Sequence, residues 1–200
     1  MESDSEHWQR FNMKSLRSKL IAAFLAMGLG APSAYFALDI TLPSEGLVLS
    51  PYPDPVGLNT FCVGHLATKK DKIKDKYSEE ECMVLFAKDF KQHQEETDKM
   101  VGGKDKFASE WQRAAATDMV FNNGPSLIEK STFVSLIKQQ KHTQACNQLI
   151  RWIYAKGKVL KGLKTRREKT MPYCLGKLSY EKQLDYEKFL KEWNDAKANR

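Results

Sequence analysis

A run of nineteen residues without a formal charge, residues 20–38, restricts this chain more than any other feature of its sequence. The run reads LIAAFLAMGLGAPSAYFAL and is preceded by four basic residues: Arg10, Lys14, Arg17 and Lys19. A helix of this length is long enough to cross a bilayer, and basic residues before it favour a cytoplasmic N-terminus. We therefore expect residues 1–19 to be a cytoplasmic segment, residues 20–38 a signal anchor, and the rest of the chain to lie outside the cytoplasm.

The same run is only weakly apolar. Its six alanines and two glycines contribute little transfer free energy, and Pro32 interrupts a helix. Two other interpretations therefore stay open. One is a cleaved signal peptide, although no small-residue cleavage motif ends the run. The other is a helix buried in the core of a protein, which the basic flank and the scarcity of polar residues disfavour.

All four cysteines follow the apolar run: Cys62, Cys82, Cys146 and Cys174. An even number of cysteines outside the cytoplasm predicts two disulfides, and the sequence alone permits three pairings. We prefer Cys62 with Cys82 and Cys146 with Cys174, because these pairs close loops of moderate length and join predicted neighbours. A zinc site at Cys62 and His65 is the competing interpretation, but no second close pair of ligands completes it. We expect no metal and no organic cofactor.

A formal net charge of +7 suggests an anionic partner, which is compatible with nucleic acid, an acidic membrane surface or an acidic wall polymer. The lysines are scattered, and the densest run, KKDKIKDK over residues 69–76, is interrupted by Asp71 and Asp75. Mixed charge of this kind is typical of a solvated loop. We therefore expect no nucleic-acid partner.

The pattern after the anchor changes from short strands to helices. Residues 47–49 and 58–63 are predicted strands, separated by the turn formers PYPDPVG. Ser78 and Glu81 form a capping box at the start of a helix. Further predicted helices cover residues 108–121, 131–140, 143–156 and 163–175, and an amphipathic helix covers 179–200. The fold class is thus α+β, with a small antiparallel sheet lobe and a mainly helical lobe in one domain over residues 39–178.

Residues 44–65, SEGLVLSPYPDPVGLNTFCVGH, contain the residue types needed to split a glycosidic bond. That reaction needs an acid to protonate the leaving oxygen and a second carboxylate to activate water or stabilise an oxocarbenium-like transition state. Glu45 and Asp54 supply the two carboxyl groups, and Thr60 supplies a hydroxyl to orient the water. Two acids alone are a weak signal, since most acidic side chains are merely solvated.

The spacing of the whole run is more specific. Eight residues separate Glu45 from Asp54, five separate Asp54 from Thr60, and Gly64-His65-Leu66 follows. The run resembles the catalytic region of the phage-type lysozymes, glycoside hydrolase family 24. The resemblance covers roughly residues 42–176 and continues in order through MVFNNG (119–124), STF (131–133), the segment carrying Trp152 and GLKTRRE (162–168). The N-terminus further resembles that of signal-anchor-release endolysins of phages that attack Gram-negative hosts.

This resemblance implies a lysozyme-like fold and a role for individual residues. Glu45 is expected to be the general acid, Asp54 the carboxylate that activates water or stabilises the transition state, and Thr60 the residue that holds the water. The family lines its sugar-binding cleft at three positions of this chain: Leu66, Phe121 and Thr132. It also has a structural ion pair at two further positions: His65 and Asp89.

The implied function is that of a monomeric endolysin that hydrolyses β-1,4 bonds between N-acetylmuramic acid and N-acetylglucosamine and thereby lyses the host. Its partners would be peptidoglycan and, before release, the host inner membrane through residues 20–38. Only six residues separate Leu38 from Glu45, so an inserted anchor would hold the acid against the membrane. Release into the periplasm on collapse of the membrane potential would free it. The alternatives are a lytic transglycosylase, which works with one acid, and a non-catalytic, membrane-tethered wall-binding protein.

Overall fold

The computed structural model describes residues 12–53, 57–155 and 157–200. Its first helix, α1 (Met13–Ala26), begins at Asn12, whose side chain accepts hydrogen bonds from two backbone N–H groups. Helix α2 (Ala31–Phe36) follows, with a proline in its first turn. A π-helical turn (Ala37–Thr41) and helix α3 (Leu42–Glu45) continue from α2 without a break.

Residues 20–38 do not form the single anchor helix that the sequence predicts. The first helix ends at Ala26, and Gly28 then takes a φ of 71°, in the left-handed region that favours glycine. Most apolar side chains of the run are buried, and the Phe24 ring lies 5.7 Å from Phe86 and 5.4 Å from Phe90. Among the residues described, no helix has the length and apolar character that a membrane span requires. In this structure the run is part of the protein core, as in the buried-helix interpretation.

The sheet lobe is a three-stranded antiparallel sheet in the order β1-β2-β3. The small antiparallel sheet is confirmed, and its third strand is not among those predicted from the sequence. Its strands are β1 (Val48–Pro53), β2 (Asn59–Cys62) and β3 (His65–Leu66). The turn between β2 and β3 contains Gly64, at a φ of 64°, and Cys62 at the end of β2 also has a positive φ, 57°. Both residues therefore adopt a conformation in which side chains are usually disfavoured.

The helical body is built around two helices, α4 (Glu79–Val101) and α5 (Glu110–Asn123). The predicted capping box is present at the start of α4. The remaining helices of the body are α6 (Pro125–Glu129), α7 (Thr132–Lys138), α8 (His142–Asn147) and α9 (Lys161–Cys174). Single-turn 3-10 helices cover Lys104–Lys106 and Leu149–Arg151.

The predicted helix over residues 143–156 is wrong in its second half. Helix α8 ends at Asn147, and two short antiparallel strands follow, β4 (Tyr154–Ala155) and β5 (Lys158–Val159). Gly157 has a φ of 74° in the turn between these strands. Aromatic and β-branched residues near this turn favour strand over helix, which accounts for the error.

Two disulfides connect the elements. Cys62 of β2 is bonded to Cys82 of α4, and Cys146 of α8 is bonded to Cys174 at the end of α9. This is the pairing preferred from the sequence. Because the Cys62 sulfur is bonded to Cys82, it does not serve as the zinc thiolate of the competing interpretation.

The chain ends in helix α10 (Tyr180–Ala198), which begins at Ser179 as the sequence predicts. The Ser179 side chain accepts a hydrogen bond from the backbone N–H of Lys182. Phe189 and Trp193 are the buried residues of this helix. Phe189 contacts Tyr35 of α2 and Arg17 of α1, so this helix packs on the first two helices.

Candidate active site

Glu45 lies where the helical body meets the sheet lobe. It is the last residue of α3, and Gly46 follows it with a φ of 81° that turns the chain towards β1. Its Oε1 accepts a hydrogen bond of 2.6 Å from Nη1 of Arg166, and 21% of its side chain is exposed. A Cβ atom built at Gly64 would lie only 3.2 Å from Glu45 Oε2. The carboxylate is therefore held between an arginine of the body and the β2–β3 turn, and remains open to solvent.

A buried cluster of charges supports this carboxylate from behind. Asp118 of α5 is fully buried and accepts hydrogen bonds from Arg166 Nε at 3.0 Å and Arg166 Nη2 at 2.6 Å. Nη1 of Arg167 lies 3.4 Å from the same carboxylate, and Arg167 also donates to Asn122 and to the backbone oxygen of Trp152. Every charge of the cluster thus has an opposite partner, as buried charges require.

The pKa values of the cluster follow from burial and pairing. Burial raises the pKa of Asp118, but the charges of Arg166 and Arg167 and the hydrogen bonds from Arg166 and Thr41 together outweigh burial and leave this pKa below its usual value. Burial lowers the pKa of Arg166, while the two carboxylates raise it above the ordinary arginine value. For Arg167, burial dominates and lowers the pKa to about 10. Asp118 and Arg166 are thus held in their charged forms beside Glu45.

Thr41 connects this cluster to the segment that carries Glu45. The Thr41 hydroxyl donates a hydrogen bond of 2.9 Å to Asp118 Oδ1, and both residues are fully buried. Thr41 ends the π-helical turn, and α3 follows it directly. The position of Glu45 therefore depends on how the N-terminal helices pack on α5.

Of the other two predicted catalytic residues, Thr60 lies on the sheet. Thr60 is on β2, is 4% exposed, and is paired with Tyr52 on β1 and Leu66 on β3. Its hydroxyl has a long contact of 3.4 Å with the backbone oxygen of Leu58. Asp54 lies outside the described residues, so its predicted role stays a prediction.

The three predicted sugar-binding residues lie on different elements. Leu66 on β3 is 49% exposed. Phe121 on α5 is half-buried, and its ring packs against Phe86 at 5.8 Å, which is a core contact. Thr132 is exposed at the start of α7 and lines a cavity of about 360 Å³ together with Trp152. Leu66 and Thr132 are therefore exposed, whereas Phe121 packs in the core, and the predicted sugar-binding roles stay predictions.

His65 and Asp89 are in contact. His65 Nδ1 lies 2.7 Å from Asp89 Oδ2, and His65 Nε2 lies 3.4 Å from Asp71 Oδ2. Burial lowers the pKa of His65, but the hydrogen bonds and charges of the two aspartates raise it above the ordinary value overall. The pair connects β3 to α4, which is a structural role.

Sequence reasoning missed three residues that support Glu45: Thr41, Asp118 and Arg166. Asp118 had a readable signal, because it is a single acid among small and apolar residues in AAATDMVF and so required a buried cation. The adjacent arginines at 166 and 167 are candidates for the cation that a buried Asp118 requires. Thr41 has no such signal, since a threonine in an apolar stretch is common.

The fold and the placement of the acid define a lysozyme-like protein. The structure superimposes on the active form of P1 phage endolysin Lyz with a TM-score of 0.66 and 21% identity, covering 81% of this chain and 94% of that chain. It also superimposes on the endolysin of Escherichia coli O157:H7 phage FAHEc1 with a TM-score of 0.59 and 21% identity, covering 72% and 92%.

Sequence comparison gives the family. The Phage lysozyme family model matches residues 43–170. The SAR-endolysin of Enterobacteria phage P21 is 38% identical over 167 residues, 80% of this chain and 96% of that protein. The SAR-endolysin of Escherichia phage Mu is 32% identical over 163 residues, 80% of this chain and 92% of that protein. The chain belongs to the phage lysozyme family.

Proposed function

We propose that the protein is an endolysin that hydrolyses the β-1,4 bond between N-acetylmuramic acid and N-acetylglucosamine in bacterial peptidoglycan. The observation that carries the proposal is the placement of Glu45. This carboxyl group is partly exposed at the junction of the two lobes and is anchored by Arg166 at 2.6 Å. Membership of the phage lysozyme family supports the same reaction.

In this proposal Glu45 protonates the oxygen of the leaving sugar. When both carboxyl groups are ionised, the cluster has two positive charges, on Arg166 and Arg167, and two negative charges, on Glu45 and Asp118. Transfer of the proton to the glycosidic oxygen leaves Glu45 as a carboxylate, whose Oε1 accepts the hydrogen bond from Arg166 Nη1.

The second half of the reaction is assigned to Asp54 and Thr60. Asp54 activates the water or stabilises the oxocarbenium-like transition state, and Thr60 orients the water. Support comes from the sequence spacing and from the register of the sheet. Pro53, the residue before Asp54, pairs with Asn59, the residue before Thr60. The strand pairing therefore keeps the two chain segments side by side.

The test is activity on purified Gram-negative peptidoglycan, with product masses read by mass spectrometry. We expect hydrated muropeptides from the parent and a loss of at least a thousandfold in Glu45→Gln, as for removal of an essential acid. Glu168→Gln is the matched control, because Glu168 is exposed on the same helix as Arg166 and its loss leaves the site intact. Anhydro products would identify a lytic transglycosylase, and polymer binding without cleavage would identify a wall-binding protein.

We further propose that the enzyme is held inactive while residues 20–38 are inserted in the host inner membrane. In the folded chain these residues are packed in the core and lead directly into Thr41, the end of the π-helical turn, and into helix α3, which ends at Glu45. The same residues do not occupy a bilayer and the core at once. An inserted segment therefore removes the contact between Thr41 and Asp118 and with it the support of Glu45.

The membrane potential supplies the trigger in this proposal. Residues 1–19 contain four Lys or Arg against three Asp or Glu. Moving a net positive charge out of the cytoplasm costs about 2.3 kcal/mol per 100 mV, and loss of the potential removes that cost. Peptidoglycan cleavage by chains still inserted in energised membranes would contradict this control.

A further inference from the structure

The C-terminal helix α10 packs mainly against the N-terminal segment, which we define as residues 13–41. Phe189 of α10 is 0% exposed, and its ring lies 5.3 Å from Tyr35 of α2. The Arg17 guanidinium of α1 lies 5.0 Å above the same Phe189 ring. The matched family region ends at residue 170, before α10 begins. Helix α10 thus lies outside the residues that match the family. It contacts the N-terminal segment, which is proposed to leave the membrane.

Polar contacts make this interface specific. Arg17 Nε donates to Glu192 Oε2 at 2.8 Å, and Arg17 Nη1 lies 3.7 Å from Asp185 Oδ1. The Tyr35 hydroxyl, on a side chain that is 1% exposed, donates to Asp185 Oδ2 at 2.8 Å. Lys182 pairs with Asp39. The carboxylates and aromatic rings of α10 therefore match an arginine and a tyrosine of the N-terminal segment.

We propose that α10 is a docking surface for the released N-terminal segment, additional to its contacts on α4 and α5, and that docking on α10 shifts the chain from the membrane-inserted to the released state. This inference rests on the proposed function, because it concerns the control of the same enzyme. A surface that binds only the released segment stabilises the released state by its binding free energy. Helix α10 lies on the periplasmic side in both states, so only the released segment reaches it.

The contacts of Arg17 with α10 favour the released state over the inserted state. With the segment inserted, Arg17 precedes the apolar run on the cytoplasmic side. In the folded chain the Arg17 side chain is 19% exposed and its guanidinium has two carboxylate neighbours on α10. The positive charge of Arg17 disfavours exit from the cytoplasm, and Arg17 meets the carboxylates of Asp185 and Glu192 only after exit.

The test uses substitutions in α10 alone, because these leave the inserted helix and its flanking charges unchanged. Phe189→Ala removes a buried ring from the interface. Leu184→Ala is the matched control, an apolar truncation on the same helix at a residue that is 38% exposed. The full chain carries an N-terminal epitope tag and is expressed in Gram-negative cells, which are converted to spheroplasts and depolarised with a protonophore. External protease removes the tag only after the N-terminus has left the cytoplasm.

We expect Phe189→Ala to lower the steady-state ratio of released to inserted chain at least tenfold, and Leu184→Ala to change it less than twofold. The proposal is overturned if Phe189→Ala has the same ratio of released to inserted chain as the parent. It is also overturned if protease already removes the tag of the parent before depolarisation. The assay does not use peptidoglycan cleavage. If the parent protein is released normally but does not cleave peptidoglycan, the proposed enzymatic function is refuted and the docking proposal is not. If the parent cleaves peptidoglycan and Phe189→Ala is released as efficiently as the parent, only the docking proposal is refuted.

Amide hydrogen exchange of the purified variant separates loss of docking from general unfolding. Docking predicts that Phe189→Ala speeds exchange over residues 13–41 while the core of α4 stays protected. Equal loss of protection in both regions contradicts a surface dedicated to the N-terminal segment.

Discussion

Gly64 offers a way to move the proposed acid without replacing it. Gly64 and Gly176 share the same φ of 64°, so alanine at either position has the same backbone penalty, roughly 1–2 kcal/mol. The two sites differ in their surroundings. A Cβ at Gly64 lies 3.2 Å from Glu45 Oε2, whereas a Cβ at Gly176 has no heavy atom within 4 Å. Gly64→Ala therefore pushes the Glu45 carboxylate by a few tenths of an ångström, and Gly176→Ala leaves it in place.

The displacement sets the expected loss of activity. A misplacement of about 1 Å at a reacting group lowers the rate about a hundredfold, so a few tenths of an ångström predict roughly a three- to tenfold loss in kcat/KM. We expect this loss in Gly64→Ala and activity within twofold of the parent in Gly176→Ala. Solubilisation of purified peptidoglycan gives the activities, and urea unfolding of both variants gives the free energies of unfolding.

Two outcomes would refute the reasoning. Full activity in Gly64→Ala would mean that the β2–β3 turn does not restrict the proposed acid. An equal fall in both variants would mean that the backbone penalty, and not the contact with Glu45, lowers the activity.

Three further predictions concern stability. Asp118→Asn leaves two buried guanidinium groups without their shared carboxylate and should lower the free energy of unfolding, measured in urea, by about 3–5 kcal/mol. The control Glu168→Gln, at an exposed residue, should change it by less than about 1 kcal/mol. Equal urea midpoints for the two variants would contradict the role of the cluster. Because the folded-state pKa of His65 is raised above its ordinary 6.5, its contribution to stability is complete below that pH and is lost as pH rises through the folded pKa. Urea midpoints should therefore fall above about pH 6.5 in the parent, and a His65→Gln variant with the same slope would exclude this residue as the cause. Replacing Cys146 and Cys174 together by alanine opens a loop with a sequence separation of 28 and should cost roughly 3–4 kcal/mol, a Tm decrease of about 10 °C by calorimetry; an unchanged Tm would show that other contacts already restrict this loop.

The proposed control gives the N-terminal segment two environments, the bilayer and the protein core. Its apolar side chains satisfy the requirement for burial in either. In this proposal helix α10 and the Asp118 cluster favour the core, since each contacts the segment in the folded chain. The proposed control thus follows from competition between two burial sites for one apolar sequence.

The sequence by itself determined the local features of this protein. The capping box at the start of α4, the change from short strands to helices after the sheet, and the pattern of Glu45 and Thr60 in a lysozyme-like chain are all readable from neighbouring residues. Capping and turn formation depend on short-range hydrogen bonds and backbone preferences. The α+β class followed from the same signals.

Only the tertiary structure decided where the apolar run lies and what supports the acid. Residues 20–38 are apolar enough for a membrane or a core, and the sequence pattern does not distinguish these two environments. The contacts that place the run in the core join residues far apart in the chain, as between Tyr35 and Asp185 or Thr41 and Asp118. Such pairs have no local signature, because each residue meets its partner only when the whole chain has folded.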